Sequence, residues 1–161
     1  MVGEPHRRRR LGEDVAALYD WIDAQLAQHA DRAGHCEACG KCCDFDAYDH
    51  LLFVTPPELI YLLENLNADG LKQMESGRCP YQQGTKCSVH EQRFAGCRIF
   101  CCTGDADLQS ELTEAALKRL KAICERYEIP YRYADLATAL AARASDTCRS
   151  AGEPCPEDRE G

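Results

Sequence analysis

The densest chemical signal in the chain is the run Cys-Glu-Ala-Cys-Gly-Lys-Cys-Cys at residues 36–43. Sulfurs separated by two residues can bind one metal centre, because the backbone between them folds into a knuckle whose N–H groups point at the sulfurs. Gly40 can supply the left-handed backbone conformation that such a turn needs. Three cysteines at successive two-residue gaps are typical of ferredoxins, whereas zinc usually takes two separate pairs. The run therefore predicts a thiolate-bound metal, iron–sulfur in the first place and zinc as the alternative.

A second group of cysteines follows at irregular intervals and predicts no knuckle of its own: Cys79, Cys87, Cys97, Cys101 and Cys102. Residues 76–104 are rich in glycine and show little periodicity, so we expect their order to come from a metal cross-link. Three cationic residues lie among these cysteines in the sequence: Lys86, Arg93 and Arg98. Their side chains either lower the pKa of the thiols or face the solvent.

Composition narrows the class of protein. The chain has 161 residues, 18.0 kDa and 12 cysteines, which fits one domain with more thiols than its size requires. A formal net charge of -8 argues against nucleic-acid binding. The mean hydropathy of -0.47, with no long apolar stretch, predicts no membrane span. No secretory signal pattern opens the sequence, so we expect a cytoplasmic protein with reduced thiols.

Periodicity predicts a mainly α fold: a small helical domain with an irregular cysteine-rich metal-binding segment and one or two short strands. Amphipathic patterns indicate helices over about 13–33, 108–127 and 135–144. Thr55, two prolines and Glu58 form a helix-start signal with a capping box, and that helix should run to about Leu66. Short strands are expected at 51–54 and 129–133, the latter with Tyr131 and Tyr133 in the core.

The domain prediction is a single cysteine-cluster domain over residues 13–144. A disordered basic N-terminus is expected over 1–12 and a disordered tail over 145–161. The sequence contains neither a G-x-G-x-x-G nor a P-loop motif, so it offers no nucleotide-binding signature. It identifies no catalytic residue.

Several motifs occur in one order along residues 36–140: the first cysteine run, Thr55-Pro-Pro-Glu58, Cys79-Pro-Tyr81, Cys87-Ser-Val-His-Glu-x-Arg93 and Cys97-Arg-Ile-Phe100. In this order they resemble the CxxCxxCC zinc- or iron-chelating domain family, the YkgJ-like cysteine-cluster proteins. The resemblance implies a small bacterial cytoplasmic protein that binds iron or zinc through thiolates. A similar module occurs in flagellin lysine N-methylases. The metal ligands that the resemblance implies are Cys36, Cys39, Cys42, Cys43, Cys79, Cys87, Cys97 and Cys102.

Eight sulfurs are compatible with three kinds of cofactor: two [4Fe–4S] clusters, one cluster with one Zn2+, or one polynuclear centre. An iron–sulfur centre would indicate a redox or catalytic role. Closed zinc sites would instead indicate an interaction module without turnover, bound to a protein partner that the sequence does not identify. A methyltransferase-like role rests on the family analogy alone. Cys101 is expected to be a spare thiol, and Cys124 a buried apolar residue or a substitute ligand.

Overall fold

The computed structural model describes residues 4–36, 40–46, 51–66 and 71–151, with side chains described as far as residue 143. Helices make up most of this part, which confirms the mainly α prediction: α1 (Glu4–Gln28), α2 (Ala30–Ala33), α3 (Pro56–Asn65), α4 (Ala95–Ile99), α5 (Ala106–Arg126) and α6 (Leu136–Ala151). Two short antiparallel sheets join distant segments. They pair β1 (Phe53–Val54) with β4 (Ala134–Asp135), and β2 (Gln82–Gln83) with β3 (Lys86–Cys87). None of the described helices is long and apolar enough to cross a bilayer.

Both ends of the domain are more helical than expected. Helix α1 already begins at Glu4, because its apolar stripe extends back to Leu11, which is 3% exposed. Arg8 in its first turns lies 3.8 Å from the Glu4 carboxylate and 3.7 Å from that of Glu64 on α3. At the other end, α6 continues past the expected boundary at residue 144 to Ala151. The residues 1–3 and 152–161 of the two expected disordered ends lie outside the described part.

The core has two parts. The first packs α1 against α4 and α5 through apolar side chains such as Val15, Ile22 and Leu120. The second lies beneath the cysteine-rich segment and is built from β1, α3, α6 and the loops around Tyr81 and Phe94. Three cysteines pack against this second part: Cys79, Cys87 and Cys97. The thiols of the irregular segment thus rest on an apolar floor.

Glu58 joins three helices. The expected capping box is present, since its Oε2 accepts hydrogen bonds of 2.9 Å from both the N–H and the hydroxyl of Thr55. Its Oε1 also accepts from the backbone N–H of Ala95 at 2.8 Å and from the Tyr19 hydroxyl at 3.4 Å. The side chain is buried, so the carboxyl group replaces water for all of these donors. It links α3 to α1 and to the start of α4.

The strand prediction was right for one segment and displaced for the other. Residues 53–54 form a strand within the expected 51–54, whereas the second strand lies at 134–135 and not at 129–133; the two strands pair with each other. The two tyrosines expected in the core are 38% and 44% exposed, so that prediction was wrong. The physical reason is that the Tyr133 ring packs on the outer face of the sheet, 5.2 Å from the ring of Phe53.

Candidate metal centre

A tight turn presents Cys42 and Cys43. Gly40 has φ 76°, which confirms the predicted left-handed conformation, and residues 41–43 then form one turn of 3-10 helix. The Gly40 carbonyl accepts a 2.8 Å hydrogen bond from the Gln82 side chain. A Cβ atom at position 40 would lie 2.5 Å from that same amide nitrogen, so the close approach requires glycine.

The segment around Cys79 runs beside this turn. Its backbone N–H donates to the Cys43 carbonyl at 2.8 Å, and the Phe45 N–H donates to the Gly77 carbonyl at the same distance. An ion pair of 2.9 Å between Arg78 and Asp44 also joins the two segments. Backbone hydrogen bonds therefore bring the two cysteine groups of the sequence into one place.

Cys79 sits at the start of a turn of the kind that sulfur ligands favour. Its carbonyl accepts from Gln82 N–H at 3.1 Å, and its sulfur accepts from the backbone N–H of Tyr81. This is a knuckle in the second cysteine group, where the irregular spacing predicted none. The short hairpin that follows pairs Gln82 with Cys87 and so brings the Cys87 residue back towards Cys79.

Cys97 reaches the site on helix α4. The helix has only five residues, and its first free N–H, that of Ala95, is satisfied by Glu58. Burial, together with the charges of Cys43 and Cys87, raises the pKa of the Cys97 thiol well above its usual value. This thiol lies close enough to the others to be affected by their charges.

Three of these thiols affect one another's pKa. The Cys43 thiol raises the pKa of Cys42 far above its usual range. The Cys43 thiol also lowers the pKa of Cys79. The Cys42 thiol lowers the pKa of Cys43, but the Cys79 thiol, burial and other nearby thiols outweigh it and raise that pKa to about 11. We call the whole group the five-thiol cluster: Cys42, Cys43, Cys79, Cys87 and Cys97.

The remaining sequence candidates lie elsewhere. Cys36 and Cys102 are exposed, and Cys101 is half-buried with its sulfur 3.4 Å from the Thr103 hydroxyl. Cys39 lies outside the described residues. Cys124 is buried in α5, 1% exposed, and burial raises its pKa, as expected for an apolar core position.

The two arginines near the five-thiol cluster make contacts that stabilise the fold. Arg98 turns away towards α1, where it pairs with Asp23 at 2.9 Å and stacks 4.3 Å over the Tyr19 ring. Arg93 contacts the His90 ring at 2.6 Å. These side chains line a polar cleft of about 340 Å3 between α1 and the turn at residues 90–92. Lys86 is exposed.

The donor set suits a soft metal, because thiolates select zinc and iron–sulfur clusters. The side chains of the described residues do not, as they stand, place three or more His, Cys, Asp or Glu groups in an arrangement ready to hold a metal ion. Metal binding requires thiolates, so it would release protons from the thiols of the five-thiol cluster.

No family model, no curated protein and no solved structure matches this chain.

Proposed function

We propose that the chain is a thiolate-rich metal-binding protein that holds an iron–sulfur cluster for a redox or catalytic role in the cytoplasm. The observation that supports this is the five-thiol cluster, which gathers sulfurs from four places in the chain: the turn at 42–43, the knuckle at 79, the hairpin at 87 and helix α4 at 97.

The central ligands in this proposal are Cys43, Cys79, Cys87 and Cys97. A bound cluster would supply one-electron chemistry, and its potential depends on hydrogen bonds to sulfur and on exposure to solvent. The chain offers both controls. The Tyr81 N–H donates to the Cys79 sulfur, and the apolar floor under the site excludes water from that side.

The cysteine spacing favours iron–sulfur over a single zinc ion. Cys36, Cys39 and Cys42 follow one another at two-residue gaps, as in ferredoxins, whereas zinc usually takes two separate pairs. A [4Fe–4S] cluster and a closed zinc site each take four thiolates, so the spacing carries this preference and the number of thiols does not.

A structural zinc site is the second candidate. The feature that favours it is that the four central thiols match in number the ligands of a four-cysteine zinc site, with the Cys79 turn as a knuckle. Such a protein would act as an interaction module without turnover, and a protein partner would be its target. The acidic net charge of -8 makes nucleic acid an unsuitable partner in either case.

Substitution of single thiols tests the proposal. Cys79→Ser and Cys97→Ser should each lose most of the iron, or the zinc, that the wild type retains after anaerobic purification, because each removes a central ligand. Cys124→Ala is the matched control, since this thiol is buried in α5 outside the five-thiol cluster. Full metal content in both ligand variants would refute the assignment.

A further inference from the structure

The polar cleft of about 340 Å3 lies between helix α1 and the turn at residues 90–92, outside the five-thiol cluster. Its α1 wall carries Ala16, Tyr19, Asp20 and Asp23, which recur at three- and four-residue steps and so share one face of the helix. The volume falls in the range of roughly 300–1,000 Å3 that is usual for small-molecule sites. Charged side chains dominate the lining, so the cleft suits a small charged ligand rather than an apolar one.

Arg98 holds the two walls of the cleft together. Its guanidinium pairs with Asp23 on α1 at 2.9 Å, its Nε donates to the Arg93 carbonyl at 3.0 Å, and its Nη2 donates to the Glu91 carbonyl. The same group stacks 4.3 Å from the centre of the Tyr19 ring. The side chain is 7% exposed and fixed by these contacts. A ligand therefore meets walls that are already ordered before it binds.

Arg93 has hydrogen-bond donors left for a ligand. Its Nη1 contacts the His90 ring and, at 3.1 Å, the His90 carbonyl. Within the part of the chain that the structure describes, its Nε and Nη2 meet no acceptor, and no carboxylate pairs with it. A guanidinium presents Nε and Nη2 as a planar fork that matches the two oxygens of a carboxylate. Arg93 is thus the group in the cleft that is best suited to receive one.

The carboxylates of the lining have the opposite preference. Asp23 is paired with Arg98, whereas the Asp20 carboxylate on the same wall is exposed and has no partner among the described residues. Glu91 adds a third carboxylate from the opposite wall. Two guanidiniums thus meet three carboxylates. A simple anion would leave Asp20 unpaired and be repelled by it, and a simple cation would leave Arg93 unpaired.

We propose that this cleft binds a small zwitterion of the amino-acid class, with the ligand's carboxylate on Arg93 and its ammonium group on Asp20. Such a ligand pairs with the unpartnered charge on each wall at once. The Tyr61 ring, which packs edge-on against Tyr19 at 5.4 Å, offers an apolar surface to the carbon skeleton of the ligand. None of the residues that line the cleft is a thiol of the proposed metal site, so the two proposals can be tested separately.

The test uses anaerobically purified full-length protein and saturation-transfer difference NMR with the protein amino acids, β-alanine and 4-aminobutyrate. Isothermal titration calorimetry then compares the amino acid that binds best with its N-acetyl derivative, which lacks the ammonium charge, and with its carboxamide, which lacks the carboxylate. We expect each derivative to bind about tenfold more weakly or worse, because each loses a charge-assisted hydrogen bond. Inorganic phosphate should bind no more tightly than the derivatives.

Two variants locate the binding in this cleft. Asp20→Asn and Arg93→Gln should each weaken binding of the same amino acid about tenfold or more and keep the metal content of the wild type. Glu13→Gln and Arg9→Gln are the matched controls, since this exposed pair lies outside the cleft, and both should bind the amino acid as the wild type does. Asp20→Asn removes no contact within the described residues, so it tests the site even if Arg93→Gln does not fold.

Three results would overturn the proposal. The first is that none of these amino acids binds at millimolar concentration. The second is that Asp20→Asn binds with full affinity. The third is that phosphate or one of the two derivatives binds as tightly as the amino acid. Weaker binding by both variants supports the cleft whether or not the protein contains metal.

Discussion

Cys43 and Cys79 are joined by a 2.8 Å hydrogen bond from the Cys79 N–H to the Cys43 carbonyl, and the thiol of each shifts the pKa of the other. The backbone bond fixes the distance between the two segments, and the mutual effect on pKa indicates that the two thiols are neighbours. This pair is the point at which the two cysteine groups of the sequence become one site.

The turn before this pair should depend on glycine at position 40. Alanine in a left-handed conformation costs roughly 1–2 kcal/mol. Gly40→Ala should cost about 1 kcal/mol more than that, because its Cβ would meet the Gln82 side chain at 2.5 Å and the Thr85 Cα at 3.0 Å. Urea denaturation measures the free energy of unfolding.

Gly84→Ala is the matched control for this prediction. Gly84 also has a positive φ, 64°, but a Cβ atom there meets nothing within 4 Å. It should show the conformational cost alone. Equal losses of stability in the two variants would mean that the packing against Gln82 and Thr85 contributes nothing.

Removal of the Glu58 carboxylate should destabilise the packing of α4, the helix that carries Cys97. Glu58→Ala leaves the buried donors of Thr55 and Ala95 without acceptors, and each unsatisfied group costs about 1–3 kcal/mol. We expect a loss of about 3 kcal/mol or more in urea denaturation. Glu64→Ala, on the exposed side of the same helix, should change stability by less than about 1 kcal/mol.

If Glu58→Ala does not fold, Glu58→Gln still tests the contact. The amide oxygen can accept from Ala95, but the amide nitrogen cannot accept from Thr55, so the loss should be smaller but measurable. A variant as stable as the wild type would show that these hydrogen bonds do not hold the helices together.

The same carboxyl group predicts a pH dependence. Burial raises the pKa of Glu58 above its ordinary 4.5, so the folded state binds this proton more tightly than the unfolded state. Its contribution to stability is fully present below pH 4.5 and is lost as the pH rises through the folded pKa. The difference in free energy of unfolding between wild type and Glu58→Gln should therefore move against the wild type as the pH rises from 4.5 towards neutrality. A difference that moves the other way would contradict the burial of this group.

Arg98 should matter for stability far more than an ordinary surface arginine. Its side chain is 7% exposed, pairs with Asp23 and covers the Tyr19 ring. Arg98→Ala should cost about 2–3 kcal/mol in thermal or urea unfolding. Arg9→Ala removes an ion pair with Glu13 whose arginine is 78% exposed, and it should cost less than about 1 kcal/mol. Similar losses of stability in the two variants would show that Arg98 stabilises the fold no more than an exposed arginine does.

Local signals in the sequence predicted those parts of the fold that depend on local physics. The apolar stripes of α1, α3, α5 and α6, the Thr55 capping box and the conformation of Gly40 all follow from residues within one or two turns of each other. Helix α4 was missed because five residues carry no periodicity, and its first N–H is satisfied by Glu58 from another segment.

The cysteines themselves could be found from spacing, but their grouping could not. The cluster depends on the backbone pairing of Cys43 with Cys79 and on the hairpin that returns Cys87, and both are tertiary contacts. One local signal was available. Gly84 lies between two short polar stretches, a spacing typical of a hairpin turn, and it has the positive φ of such a turn.

The most direct test of the metal proposal is elemental analysis of the anaerobically purified wild-type protein for iron, zinc and acid-labile sulfide, with a visible spectrum of the same sample. The proposal predicts iron and sulfide in matching amounts and a brown colour that bleaches in air. Zinc without sulfide would support the structural zinc site instead. A folded protein with its five-thiol cluster reduced and with neither metal bound would contradict the central claim.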